Sequence, residues 1–292
     1  MSVVQRDPAL HGHLARLART PRMVFVAGLP GTGKSLVIHQ LAHLAAEAGR
    51  TVHLLQWDVA RPVFEASPAG RRYPVIDGVT QPTIRKAVGA WARRAIATWA
   101  RSFPAAEHML IGETPLVGDR LMELARRRDD EAEALLADDA CRFVITVPSV
   151  EVRRHVEAER ERRMVAFRHP REREDAPPHV LRDLWRQLVA TASALGIERT
   201  DPAAPYDPAV YRSVYETLLR HRVTEVLTLD TVLPTAGMSV YDFAVACRDV
   251  VPTADDADVA VREIEGRYPD VTAVAREVDA WWAVEGIADG RT

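Results

Sequence analysis

The stretch from Gly28 to Ser35 reads Gly-Leu-Pro-Gly-Thr-Gly-Lys-Ser, and it constrains the fold more than any other segment. It fits the pattern G-x-x-x-x-G-K-[ST], the Walker A loop, which connects a β-strand to the helix that follows it. The chain contains 36 arginines but only two lysines, and one of them is Lys34. A compact ammonium fits inside a loop wrapped around phosphates, whereas a planar guanidinium is too bulky. The stretch therefore predicts a binding site for a nucleoside triphosphate.

The residues on either side have the pattern that such a loop requires. Residues 23–27 are a short apolar run typical of a buried strand, and after the loop apolar residues recur at helical spacing up to Gly49. The loop amides and the helix N-terminus are then expected to point at the phosphates of ATP. Lys34 is expected to reach the β- and γ-phosphates as a catalytic group, and Ser35 to ligate Mg²⁺. The predicted nucleotide-binding residues are Gly28, Pro30, Gly31, Thr32, Gly33, Lys34 and Ser35.

Composition excludes several other classes of protein. Of the 292 residues, 47% are hydrophobic and 27% charged, as is usual for a soluble globular protein. The net charge of −3 gives no reason to expect nucleic acid or an acidic membrane as a partner. Cys141 and Cys247 lie far apart without metal-like spacing, so we expect reduced cysteines in a cytoplasmic protein. The sequence leaves the oligomeric state open.

Short apolar runs alternate with amphipathic segments, which favours an α/β fold in three α/β/α layers around a mostly parallel, five-stranded sheet. Strands are expected at residues 23–27, 51–57, 108–112, 142–147 and 225–229. Helices are expected at residues 9–20, 83–101, 121–128, 130–138, 261–268 and 271–284, in addition to the one after the Walker A loop. We therefore divide the chain into a nucleotide-binding domain, 1–235, and a helical C-terminal extension, 236–292.

Acidic residues follow three of the predicted strands, where ligands of open α/β sheets bind. Asp58 is expected to accept a proton from a substrate hydroxyl, with Arg61 binding a substrate anion or oxygen. Glu113 is expected to hold the metal, directly or through water. Arg120 follows at a distance that suits substrate contact, and Asp230 is a weaker candidate. The alternative is that these acids only cap the next element.

The segment from Glu151 to Asp175 contains eight arginines among seven acids. Mixed charge of this kind is usually a solvated helix face with i,i+4 pairs. The alternative is a mobile lid, at about 153–175, that follows the fourth strand. Its arginines, with Arg160 and Arg163 as the catalytic candidates and Arg168 as a third, would stabilise charge on the transferring phosphoryl group.

Five features occur in order: the Walker A loop after strand one, Asp58-x-x-Arg61 after strand two, Glu113 after strand three, a strand four that ends at Pro148, and an arginine-rich helix. With these five features in this order, the chain resembles the P-loop NTPases of the nucleoside-monophosphate-kinase-like group, which include the small-molecule kinases and the zeta-type toxins. The resemblance covers roughly residues 22–230, and only the Walker A loop is highly specific. It implies that Asp58 is the substrate-binding acid or base and that Arg160 and Arg163 are lid arginines.

The preferred hypothesis is therefore a kinase that binds ATP and Mg²⁺ and phosphorylates a hydroxyl of a small molecule. The alternative is a regulatory or assembly ATPase that uses the same loop, with Glu113 orienting water. A third possibility is a nucleotide-binding partner protein with negligible turnover. Acceptor pockets are built from variable loops, so the sequence does not identify the acceptor.

Overall fold

A computed structural model describes residues 4–163, 166–174, 176–197, 201, 203–233, 235, 238–243 and 245–284. Within these residues the chain forms one parallel sheet of six strands in the order β5-β4-β1-β3-β2-β6. The strands are β1 (Met23–Ala27), β2 (Thr51–Leu55), β3 (His108–Thr114), β4 (Cys141–Pro148), β5 (Thr224–Leu229) and β6 (Arg248–Asp249). The α/β class is confirmed, but the count of five strands was wrong. The sixth has only two residues, both charged, and has no apolar pattern that sequence could reveal.

Ten α-helices lie in the described residues. They are α1 (Pro8–Arg19), α2 (Lys34–Glu47), α3 (Trp57–Ala66), α4 (Pro82–Ser102), α5 (Glu131–Leu136), α6 (Val150–Arg163), α7 (Pro178–Ala194), α8 (Pro208–Leu218), α9 (Ala254–Arg267) and α10 (Val271–Asp279). The helix predicted at 121–128 was wrong, because this segment contains only a 3₁₀ turn, Met122–Leu124. Leu121, before that turn, has a left-handed backbone (φ 63°), which an α-helix cannot contain.

The sheet has an apolar core on each face. Along β1 successive side chains point in opposite directions, so Val24 and Val26 pack toward α1 and α2. Phe25 points the other way and stacks on Phe143 at 5.0 Å between ring centroids. Helices therefore cover both faces of the sheet, which accounts for strands that are apolar throughout rather than alternating.

The strand order places β3 between β1 and β2. Val26 of β1 is in register with Glu113 of β3, so this acid lies beside the strand that leads into the Walker A loop. The carboxyl ends of parallel strands share one edge of the sheet, where open α/β sheets bind their ligands.

The described elements after residue 235 pack against the rest of the molecule. β6 pairs with β2 at the sheet edge, and α9 and α10 pack on α4. The apolar side chains of Val261, Ile264 and Val274 are buried in the same core as Phe25 and Phe143. Among the described helices, none combines the length and the hydropathy that a membrane crossing needs.

Candidate functional site

The Walker A loop adopts a conformation that depends on its glycines. Gly31 (φ 77°) and Gly33 (φ 86°) have left-handed backbones. Gly33 precedes α2 and offers no side-chain cap, so the first amides of α2 stay available to an anion. A Cβ atom on Gly28 would lie 2.6 Å from Thr32 Oγ1 and 2.7 Å from Thr146 Oγ1, which leaves no room for a side chain.

Side chains from distant elements hold this loop in place. The Leu29 amide donates a hydrogen bond to the Tyr211 hydroxyl (3.1 Å), and the Thr32 hydroxyl lies 3.0 Å from that of Thr146. Arg153, buried at the start of α6, donates to the Pro30 carbonyl at 3.0 Å. Sequence reasoning missed the roles of all three distant residues. Arg153 alone carried a signal, as the first arginine of the segment after β4.

Lys34 is almost fully buried, with 5% of its side chain exposed. Its ammonium donates to the Leu29 carbonyl at 2.9 Å and lies 3.3 Å from Glu113 Oε1. Burial lowers the pKa of Lys34, and the nearby carboxylates of Glu113 and Asp58 only partly oppose that effect. A buried cation with incomplete compensation favours the arrival of an anion, because the anion would supply the missing negative charge.

The loop opens into a cavity of about 780 Å³. It brings together predicted residues from five separate segments of the chain. Gly28 and Thr32 are buried within the loop, and neither they nor Asp230 line the cavity. The predicted residues that line it are Pro30, Gly31, Gly33, Lys34, Ser35, Asp58, Arg61, Glu113, Arg120, Arg160, Arg163 and Arg168.

Ser35, at the start of α2, and Glu113, on β3, are the predicted metal ligands, and both line the cavity. β3 continues to Thr114, so Glu113 lies inside the strand rather than after it. In the described residues no three His, Cys, Asp or Glu side chains form a metal-binding group. Mg²⁺ retains several waters and needs only one or two protein oxygens besides substrate phosphates. The hydroxyl and the carboxylate therefore fit the donor set that Mg²⁺ requires beside a triphosphate.

Asp58 and Arg61 line the cavity from α3. β2 ends at Leu55, so Asp58 is in the first turn of α3 instead of at a strand end, and it is exposed. Arg61 forms an ion pair with Glu65 at 2.9 Å, and Glu65 also accepts a hydrogen bond from Thr80 (2.9 Å). The charge of Arg61 is thus already compensated by its own helix, while the carboxylate of Asp58 faces open space.

Arg120 is half-buried in the segment that follows β3. Burial lowers its pKa, as do the positive charges of Arg85 and Arg61, and Asp58 opposes this. Among the described residues, we find no hydrogen bond or ion pair from its guanidinium. Arg85, in contrast, donates to the carbonyls of Thr80 (2.8 Å) and Gly118 (3.0 Å). Arg120 therefore contributes positive charge to the cavity without a fixed acceptor.

The arginine-rich segment forms α6 and a 3₁₀ turn, Pro170–Glu174, and residues 164, 165 and 175 of the predicted lid lie outside the described residues. Arg160 donates to the Ala176 carbonyl. Arg163 forms ion pairs with Glu172 (3.2 Å) and Glu159 (3.7 Å). Both arginines line the cavity and have partners in the segment or just after it. Opening and closing of a lid stays a prediction.

Comparison with known proteins adds no further constraint on this site. No protein-family model, curated protein or solved structure matches the chain.

Proposed function

We propose that the protein is a P-loop kinase that transfers the γ-phosphate of ATP to a hydroxyl group of a small molecule. One observation carries the proposal: the same cavity is lined by the Walker A loop and by Asp58 and Arg120. A phosphoryl transferase needs groups for both substrates in one site, because its work is mainly to position two substrates and neutralise charge.

On the nucleotide side, the loop amides and the N-terminus of α2 would bind the phosphates. Lys34 would exchange the Leu29 carbonyl for phosphate oxygens, which compensate its charge better than a neutral dipole does. Ser35 and Glu113 would hold Mg²⁺, and that ion would neutralise charge on the phosphates.

On the acceptor side, the substrate hydroxyl would attack the γ-phosphorus while the bond to the β-phosphate oxygen breaks and ADP leaves. The hydroxyl proton would pass to the carboxylate of Asp58. Arg120, whose guanidinium has no fixed acceptor among the described residues, favours an acceptor that also carries a carboxylate or phosphate group. Arg160 and Arg163 would meet the charge of the transferring group as the segment closes.

The alternative is an ATPase in which Glu113 orients water. It is supported by the contact of Glu113 with Lys34, which puts the carboxylate next to the phosphate-binding loop. ADP release by the purified protein separates the two, measured with MgATP alone and with a panel of hydroxy acids, sugar phosphates, neutral sugars, nucleosides and aminoglycosides. We expect little basal turnover and stimulation by an anionic acceptor. Steady turnover that no acceptor stimulates would establish the ATPase, and absence of turnover throughout would leave only nucleotide binding.

Asp58→Asn tests the acceptor side directly. We expect kcat to fall by about 10²–10⁴-fold, the range for loss of a general base, with ATP affinity nearly unchanged. Asp230→Asn is the matched control, since this acid follows β5 and lies outside the cavity lining. A collapse of ATP affinity in Asp58→Asn would instead place Asp58 in the metal site and exchange its role with Glu113.

A further inference from the structure

A buried group of charged side chains, which the proposed reaction does not use, lies between α4 and the C-terminal helices. At its centre is Lys86 of α4, with 1% of its side chain exposed. Its ammonium lies 2.7 Å from Glu123, 2.8 Å from Glu277 and 3.2 Å from Asp119. Asp119 and Glu123 belong to the segment after β3, whereas Glu277 is on α10. We call Lys86, Asp119, Glu123, Arg126 and Glu277 the Lys86 cluster.

Arg126 gives the Lys86 cluster a second link to the C-terminus. One end of its guanidinium bonds to Asp119 (3.1 Å), and the other donates to the Trp281 carbonyl (3.0 Å). Burial opposes ionisation of Glu277, but Lys86, the Tyr268 hydroxyl and Arg126 outweigh it and lower its pKa to about 2. The charge of Glu277 is therefore favourably bound. It ties α10 to Lys86 of α4, which also binds Asp119.

The segment that contains Asp119 has an unusual backbone. Leu116 (φ 64°), Asp119 (φ 62°) and Leu121 (φ 63°) are all left-handed although none is glycine. Such residues cost about 1–3 kcal/mol each and persist only when their surroundings fix them. The Gly118 carbonyl accepts a hydrogen bond from Arg85. The carboxylate of Asp119 is bound by Lys86 and Arg126. The loop 116–121 thus depends on contacts from other elements.

Arg120 is the next residue after Asp119, and it lines the cavity. The side chain of Asp119 is completely buried, so its fixation determines where the backbone of Arg120 lies. We propose that Glu277 of the C-terminal extension is a positioning residue for Arg120: through the Lys86 cluster it holds the strained loop 116–121 in the conformation that presents Arg120 to the acceptor. The statement about the acceptor rests on the proposed function, whereas the coupling of α10 to the loop does not.

The test compares Glu277→Gln with Glu263→Gln in the full chain. Glu263 also lies in the extension and also pairs with an arginine of α4, Arg94, but it is outside the Lys86 cluster. Amide hydrogen exchange is measured across the chain. In Glu277→Gln we expect exchange in 116–121 to accelerate by about tenfold or more, because the loop opens locally when its support weakens. The α2 amides that exchange without global unfolding are expected to keep their rates, and the whole pattern is expected to stay unchanged in Glu263→Gln.

A second measurement separates positioning from simple loss of stability. With an acceptor from the screen, Glu277→Gln is expected to raise the acceptor KM by about tenfold and to leave the Kd of MgATP within twofold, because only Arg120 is displaced. Glu277→Asp, which keeps the charge, is expected to recover part of the loss.

Three results would overturn the proposal. They are unchanged exchange in 116–121, an acceleration in Glu277→Gln that is equal in 116–121 and in these α2 amides, and equal weakening of acceptor and MgATP binding. If the wild-type protein binds no MgATP, the proposed function fails, and the exchange comparison still decides whether Glu277 holds the loop.

Discussion

The two lysines of this chain are both buried, but their surroundings differ in the number of carboxylates. Lys34 has Glu113 at 3.3 Å and a carbonyl oxygen, beside an open cavity. Lys86 has three carboxylates within 3.2 Å. Burial lowers the pKa of Lys34, whereas around Lys86 the effect of burial is outweighed by Glu123 and Asp119, which raise its pKa above the usual value.

The difference shows that burial of a cation does not by itself indicate a ligand site. Lys86 obtains all its compensation from its own chain, so its charge serves stability and the placement of other groups. Lys34 obtains less, and in the proposed function the phosphates of ATP would supply the rest. The predictions below test this contrast, beginning with the largest effect.

Replacing Lys86 by methionine is expected to lower the free energy of unfolding by about 3–5 kcal/mol, because removal of one partner leaves buried charges uncompensated. Lys34→Met is expected to change it by less than about 1 kcal/mol, since Glu113 borders a cavity open to water. Urea titration of both variants measures the difference. Equal losses would mean that the two lysines have the same structural role.

For activity, in contrast to stability, we expect the large effect at Lys34. Lys34→Ala is expected to reduce turnover by at least about 10²–10³-fold, the usual effect of removing one group that stabilises transition-state charge, and to weaken ATP binding. Lys34→Arg is expected to fail as well, because the guanidinium does not fit the loop. Turnover and ATP binding are measured for both. Wild-type activity in either variant would refute the assignment of the Walker A loop.

The Lys86 cluster also predicts how stability depends on pH. The pKa of Glu277 is about 2 in the folded protein, against an ordinary value of 4.5. Its contribution, on the order of 3 kcal/mol, is therefore fully present above about pH 5 and is lost as the pH falls toward 2. The stability difference between wild type and Glu277→Gln, from urea unfolding at pH 3 to 6, is expected to shrink on acidification. A difference independent of pH would show that Glu277 is not bound as a carboxylate.

The smallest expected effect concerns the cavity arginines. Arg160→Ala and Arg163→Ala are each expected to lower kcat by about tenfold while the Kd of ATP changes only a few-fold, because these groups meet the phosphoryl charge only on closure. Trypsin cleavage of 153–175 is expected to slow when MgATP and acceptor are both present. Normal turnover in both variants, with cleavage unaffected by ligands, would identify a solvated helix and make Arg120 the next arginine to test.

The contrast between the lysines also explains what the sequence could predict. A local sequence pattern was sufficient to predict β1, the Walker A loop and α2, because these elements are contiguous in the chain. Glu113 was predicted at the same edge of the sheet because ligands bind at the carboxyl ends of parallel strands. The members of the Lys86 cluster are spread from position 86 to position 277, and no local pattern connects them. The failed helix at 121–128 has the same origin, because tertiary contacts around Asp119 override its apolar spacing.

Asp58 and Arg153 show two further limits. Apolar residues continue from β2 into α3, so the strand could not be distinguished from the first helical turn, and Asp58 was assigned to the wrong element. The contact of Arg153 with Pro30 joins residues more than a hundred positions apart. The sequence identified its chemistry within an arginine-rich segment but could not identify its partner.

The pairing of Lys86 with Glu277 has a consequence for synthesis on the ribosome. At about 5–20 residues per second, the roughly 190 residues between them take on the order of 10–40 s to translate. During that interval the face of α4 that packs against α9 and α10 stays uncovered, and the edge of β2 that pairs with β6 stays unpaired. The residues of the Walker A loop are therefore synthesised long before the helices that complete the core around α4.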